Sequence, residues 1–315
     1  MTISGRAIVA VAVLLLAVVL APAAFVLLVD DADVRAQALR VGRVPSDVAV
    51  DGSTVWVVSG RDDRIVTIDA AQPDRTAARY ETGAAPLRVA AGSGSVWTAN
   101  AGDESVTRVD PLAPAAAGRR IPIGSDAVDV AVGPDAAWVS NGPSGTVTRI
   151  DPVSNRVVGE PIRTGNFPTA LTLGENQVWV VNSGDGTVAR VDPREHLVIG
   201  RRIPVGRDPQ DIAVAFGTVW VANRGDGTVS RISATTGEPI GAPIRVGGAP
   251  GALAPTRDGV LVLDTRRGDV LELRPESLRA RRILRVQGFP ASIAVGADAA
   301  WIVDARSGTV ARLAG

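Results

Sequence analysis

From residue 36 onward the chain is built of short apolar runs separated by small and polar turns, with no helical spacing of apolar positions. The runs recur with a fixed period. Trp stands at 56, 97, 138, 179, 220 and 301; the first four steps are each 41 residues, one more step lands on Leu261, and Trp301 follows 40 residues later. One unit, Gly206 to Val246, shows the layout. A turn at 206–209 leads into a strand over Asp211 to Val214, and a Gly-containing turn leads to an apolar strand over Val219 to Ala222. A hairpin loop, Asn223 to Gly227, is rich in residues that tolerate positive φ. A β-branched strand follows over Thr228 to Ile232, and a fourth ends at Ile244 to Val246.

Four short strands per unit and seven units predict an all-β fold: a seven-bladed β-propeller of four-stranded blades. The second strands, VWVV at 55–58 and 178–181 and VWVA at 219–222, do not alternate apolar with polar. Strands covered on both faces read this way, which places each Trp between blades. The last unit supplies three strands only, Ser292 to Val295, Ala300 to Val303 and Thr309 to Leu313. Ala36 to Gly42 matches the fourth-strand pattern of Arg201 to Gly206, so the N-terminal segment is expected to complete the last blade and close the ring. The propeller is therefore expected over residues 36–315. Its upper face carries the loops between strands two and three and between blades; the other turns form the lower face.

Ahead of the repeats lies an uncharged apolar stretch, Ala7 to Val29. A helix of that length measures about 34 Å, enough to cross a hydrocarbon core of about 30 Å. Arg6 precedes it and Asp30, Asp31 and Asp33 follow, which predicts a short cytoplasmic N-terminus (1–6), a transmembrane signal-anchor (7–29) and a propeller outside the cytoplasm. The alternative is a cleavable signal and a secreted protein, because Ala21-Pro22-Ala23 resembles a cleavage site. The linker over 30–35 spans at most about 20 Å, so a retained anchor would hold the lower face towards the membrane.

Charge and composition narrow the chemistry. Lys+Arg and Asp+Glu both number 33, every basic residue is Arg, and the net charge is zero, which argues against a nucleic-acid partner. The absence of Cys excludes disulfides, thiolate metal sites and a Cys nucleophile. A single His leaves little for acid–base work. No phosphate loop, dinucleotide fingerprint or nucleophile motif is present, and no cofactor is expected.

Candidate residues come from positions where the blades differ. Near the start of the innermost strand the seven blades carry Asp47, Arg88, Asp129, Ala170, Asp211, Ala252 and Ser292. The charged members could form a mouth that binds a polar ligand or a cation; the alternative is that a hydrated channel mouth simply tolerates polar residues. Arg61, Arg224, Arg266 and Arg306 vary the upper loop tips and could recognise an acidic partner, or could simply be solvated. Asn100, Asn141, Asn182 and Asn223 are expected to cap their hairpins through their own backbone. Arg108, Arg149, Arg190, Arg231 and Arg312 recur with the blade and predict a structural ladder, while His196 is expected in an exposed turn at the lower rim.

The segments VWVANRGDGTVSRIS (219–233), VWVVNSGDGTVARVD (178–192) and AWVSNGPSGTVTRID (137–151) resemble the YVTN-type (YncE-like) propeller repeat. The preceding GxxPxxIAVGxxxVW pattern is similar to virginiamycin-B-lyase-type propellers. The resemblance covers nearly everything after residue 36. It implies the propeller fold and either a binder, a cell-envelope sensor working through a partner, or a metal-dependent lyase or hydrolase. Lyase chemistry of that type implies a His general base on the central upper face, and His196 lies in a lower turn. A membrane-anchored, extracytoplasmic module that binds a ligand or scaffolds a protein, without catalysis, is the expected function.

Overall fold

The computed structural model describes residues 38–113, 118–277, 279–296 and 299–314. The predicted anchor, Ala7 to Val29, lies outside them. Among the described residues no helix is long and apolar enough to cross a membrane.

The described residues form seven antiparallel sheets, one per predicted blade. Counted outward from the channel, blade one comprises Pro45–Asp51, Thr54–Ser59, Arg64–Asp69 and Gln72–Glu81. Blades two to six repeat the order from first strands at Pro86–Gly92, Ala127–Val132, Pro168–Gly174, Pro209–Ala215 and Pro250–Pro255. In blades three and four the outer strand is broken into two short pieces. Blade seven takes its three inner strands from Pro290–Gly296, Ala299–Asp304 and Thr309–Ala314, and its fourth from Ala38–Arg40. The closing register is Ala38 with Ala311, Leu39 with Val310 and Arg40 with Thr309, and the Val41 N–H donates to the Gly308 carbonyl at 2.9 Å. The ring thus closes by the N-terminal strand, as the truncated last repeat predicted.

All six Trp are buried, and their contacts cross between blades. Trp97 packs with Val130, Val139 and Ile150 of blade three, and Trp179 with Ile212, Val219 and Ile232 of blade five. Facing five of the six Trp across to strand three is an Arg: Trp97 with Arg108, Trp138 with Arg149, Trp179 with Arg190, Trp220 with Arg231 and Trp301 with Arg312. Three of these guanidinium groups lie 5.7–5.8 Å from the indole centroid. The Nε of each of the five Arg has no hydrogen-bond partner, which fits a donor lying over a π face. Two blades depart from this pairing. In blade six Leu261 faces Glu272, and in blade one Trp56 faces Thr67 while Tyr80 packs 5.5 Å from the indole. The recurrent arginines are a structural ladder.

Candidate functional site

In all seven blades the pairing of strands one and two shifts register at the same place, between the first strand residue and the residue two further on. A bulge frees a backbone N–H and re-aims a side chain. The re-aimed residues are Asp47, Arg88, Asp129, Ala170, Asp211, Ala252 and Ser292, so the structure brings the predicted ring together at the upper throat of the channel.

The three carboxylates sit in alternate blades and latch the next blade. Asp47 Oδ2 accepts the Val89 N–H at 2.9 Å, Asp129 Oδ2 the Leu171 N–H at 2.9 Å, and Asp211 Oδ2 the Leu253 N–H at 2.6 Å. Asp129 and Asp211 use the other oxygen on the freed N–H of their own blades, Val130 at 2.8 Å and Ile212 at 2.9 Å. Asp47 Oδ1 instead accepts the Ser292 hydroxyl at 2.6 Å and faces Arg88 Nη1 at 3.5 Å. The variation at this position therefore has a structural component that sequence alone hides. The blades bearing Ala170 and Ala252 are the receivers of a latch, and the blades bearing Asp129 and Asp211 are its donors.

The electrostatics follow from this crowding. Burial works against the charge on Arg88, but the fields of Asp47, Asp129 and Asp211 outweigh it, so the guanidinium is held charged more firmly than a free one. Burial pushes Asp129 up to about 7, against the opposing pull of Arg88 and the Leu171 N–H. It likewise pushes Asp211 up to about 6, again opposed first by Arg88. One guanidinium among three carboxylates leaves the throat acidic once Asp129 and Asp211 ionise.

Above the throat stands an apolar rim that the sequence analysis did not single out. Phe167 and Phe289 are 45% and 54% exposed, and Val44 and Leu87 are also exposed. Val44, Phe167 and Phe289 each immediately precede the proline that opens a first strand. Val44 (φ +54°) and Phe167 (φ +53°) take the left-handed conformation, which is strained for a β-branched residue. Their carbonyls are tied down by loop amides, with Gly60 N–H donating to Val44 and Ser183 N–H to Phe167. The missed signal was the identity of the residue before each repeat's proline, which is large and apolar in only three blades.

The predicted tip arginines are exposed on the same face. Arg224 pairs with Asp208 at 2.8 Å, Arg306 lies 5.1 Å from the Phe289 ring centroid, and Arg61 and Arg266 project from their loop tips. Two of the four thus have intramolecular partners, and the structure spreads them around the rim rather than gathering them. The hairpin asparagines correct an expectation. Asn100, Asn141 and Asn223 each bond two hydroxyls across on strand three, such as Ser105 and Thr107 for Asn100, rather than capping their own backbone. Asp264 and Asp304 do cap their hairpins, accepting loop N–H groups.

His196 is at the lower rim, as expected, but half-buried rather than exposed. Its ring meets Trp138 of the preceding blade edge-on at 6.1 Å. Among the described residues no group of three or more His, Asp or Glu is placed to hold a metal ion.

No protein-family model matches the chain, and no curated protein matches it in sequence. Solved structures do match. Virginiamycin B lyase from Staphylococcus aureus aligns with a TM-score of 0.77 over 88% of this chain and 98% of its own, at 14% identity. A catalytically inactive His-to-Ala variant of that enzyme with quinupristin gives 0.76 at 16% identity, with the same coverage. Hydrazine synthase of Kuenenia stuttgartiensis gives 0.74 over 86% of this chain and 96% of its own, at 16% identity. Proteins of such different activities share a backbone, and at this identity that likeness concerns architecture alone. The chain has the seven-bladed β-propeller fold seen in virginiamycin B lyase and related propellers.

Proposed function

We propose that the protein is a membrane-anchored, extracytoplasmic binding module whose upper mouth engages a polar ligand or a partner protein without performing chemistry on it. The observation that carries this reading is the throat itself, a guanidinium among three carboxylates beneath an exposed apolar rim. Such a mouth offers orientation by charge and affinity by apolar contact. Residues Asp47, Arg88, Asp129, Asp211 and Ser292 would form its floor, and Arg61, Arg224, Arg266 and Arg306 its outer fringe. Anchoring by residues 7–29 is supported by their apolar length. Ala38 also starts at the lower end of blade seven's outer strand, which would turn the mouth away from the membrane.

The lyase reading gains no support from the site. The lyase is inactivated by a His-to-Ala change, whereas the single His of this chain packs against Trp138 at the opposite rim. The test is quantitative crosslinking in detergent-solubilised membranes. Arg88→Gln combined with Phe167→Ser should lose the crosslinked species of the parent. Leu112→Ser with Val153→Ser, on exposed lower turns, should keep it. The opposite pattern would refute the assignment to the upper mouth.

A further inference from the structure

We propose that the cleft between blades six and seven is a second binding site for a carboxylate carried on an aromatic or branched aliphatic body; it shares Phe289 and Arg306 with the upper rim, but its lining includes none of the throat residues Asp47, Arg88, Asp129 and Asp211. The cleft encloses about 570 Å³. Its cause is visible in the register. The pair across strands three and four that is Val66 with Arg79 in blade one, Thr107 with Arg120 in blade two and Leu271 with Arg282 in blade six becomes Ala311 with Ala38 in blade seven. Two methyl groups stand where these three blades place an arginine against a larger partner. The space they release is floored by Val286 and Ile302 and walled by Phe289.

The opening selects for charge. The acidic group lining the cleft, Asp304, is already satisfied by three backbone N–H donors: Phe289 at 2.7 Å, Arg306 at 2.9 Å and Ser307 at 2.7 Å. Most of its acceptor positions are thus taken, which leaves Arg306 and the nearby hydroxyls as the groups able to bond a ligand. Arg306, by contrast, rests over the Phe289 ring, and among the described residues no carboxylate is paired with it. The Ser307 and Thr309 hydroxyls lie 2.7 Å apart; one proton serves that bond and the other is free to be donated. A guanidinium and a hydroxyl donor over an apolar floor suit a carboxylate with a hydrophobic tail. A free acid and the C-terminal residue of a peptide share that chemistry.

Isothermal titration of the full chain in detergent separates these sources and tests the site. The probes are 4-phenylbutyrate, 4-phenylbutanol, and a tetrapeptide ending in Phe with either a free or an amidated C-terminus. At least one carboxylate probe should bind about tenfold or more tighter than its neutral counterpart, a difference of about 1.4 kcal/mol. The preferred carboxylate, small acid or peptide, identifies the source. Arg306→Gln should erase the preference for charge, and Ala311→Leu, which copies Leu271, should abolish binding of every probe. Arg75→Gln and Arg156→Gln, on the exposed outer strands of blades one and three, should bind as the parent does. Arg306→Gln changes an exposed side chain, so the test survives if Ala311→Leu misfolds. The proposal is overturned if neither carboxylate binds, if Arg306→Gln keeps the preference, or if Arg75→Gln removes it.

Discussion

The lower half of the propeller and its upper rim are built on the same strands yet follow different rules. Below, blade after blade sets an Arg of strand three over the Trp of strand two; blade six changes both partners, to Leu261 and Glu272, while blade one keeps Trp56 and sets Thr67 opposite it. Above, equivalent positions hold Val44, Ala85, Asp126, Phe167, Asp208, Ala249 and Phe289, residues of unrelated size and charge. Repetition marks groups that answer to the neighbouring blade. Variation marks two different things, and the throat shows why they must be separated. Asp129 and Ala170 differ because one blade gives a latch and the next receives it, whereas Phe167 and Ala85 differ in how much apolar surface they show at the rim.

The largest effect should come from the repeated half. Trp138→Ala or Trp179→Ala should lower stability by roughly 3–5 kcal/mol in denaturant unfolding, the usual cost of deleting a large buried aromatic. An unchanged midpoint would show that these indoles do not carry the contact between blades.

The throat comes next. Asp129→Ala removes the acceptor of two buried N–H groups, Val130 and Leu171, each costing about 1–3 kcal/mol when left unpaired. From sequence alone, the paired changes Asp129→Ala and Asp211→Ala are expected to leave folding intact, because neighbouring blades tolerate alanine. The latch reverses that expectation. A variant as stable as the parent would mean the difference between donor and receiver blades has no energetic content.

A smaller effect, a few degrees in melting temperature, should appear with pH. Folded Asp129 and Asp211 hold their protons to about 7 and 6, whereas an unfolded aspartate releases its proton near 3.8. The folded state binds more protons in that interval, so stability should fall as pH rises from about 4 to 7. Below it the sign turns, because hydrogen bonds depress Asp151, Asp192 and Asp226, and Arg285 depresses Asp269, and these supports are lost on protonation. Asp129→Asn should flatten the upper part of the slope between pH 6 and 8. A melting temperature that climbs from pH 5 to 8 would contradict the burial of these groups.

The smallest effect belongs to His196. Replacing it by Ala removes one edge-on contact with Trp138, worth about 0.5–1.5 kcal/mol, and should leave any activity of the upper face unchanged. Loss of upper-face binding in this variant would erase the distinction between the rims.

The architecture was legible because burial between blades imposes a period, and Trp makes the period easy to see. Closure was legible because the last unit lacked one strand and residues 36–42 carried its pattern. The throat residues could be found, but their partners could not. The acceptor and donor of each latch lie 42 residues apart, and they meet only because a bulge frees the receiving N–H. The cleft at Ala38 and Ala311 was hidden for a related reason, since its two alanines come from opposite ends of the chain.

Carboxylates in blades one, three and five set up a rhythm of two on a ring of seven, and a two-step rhythm cannot go round an odd ring without a misfit. The misfit falls in blade seven. A fourth carboxylate there would meet Asp47 head-on, where the Ser292 hydroxyl now donates across 2.6 Å. Blade seven is also where strand Ala38–Arg40 is joined by hydrogen bonds to strand Thr309–Ala314, and where the alanine pair leaves its cleft. An even-numbered ring could carry the alternation without a defect. In this one, parity places the break in the alternation at the seam that closes the ring.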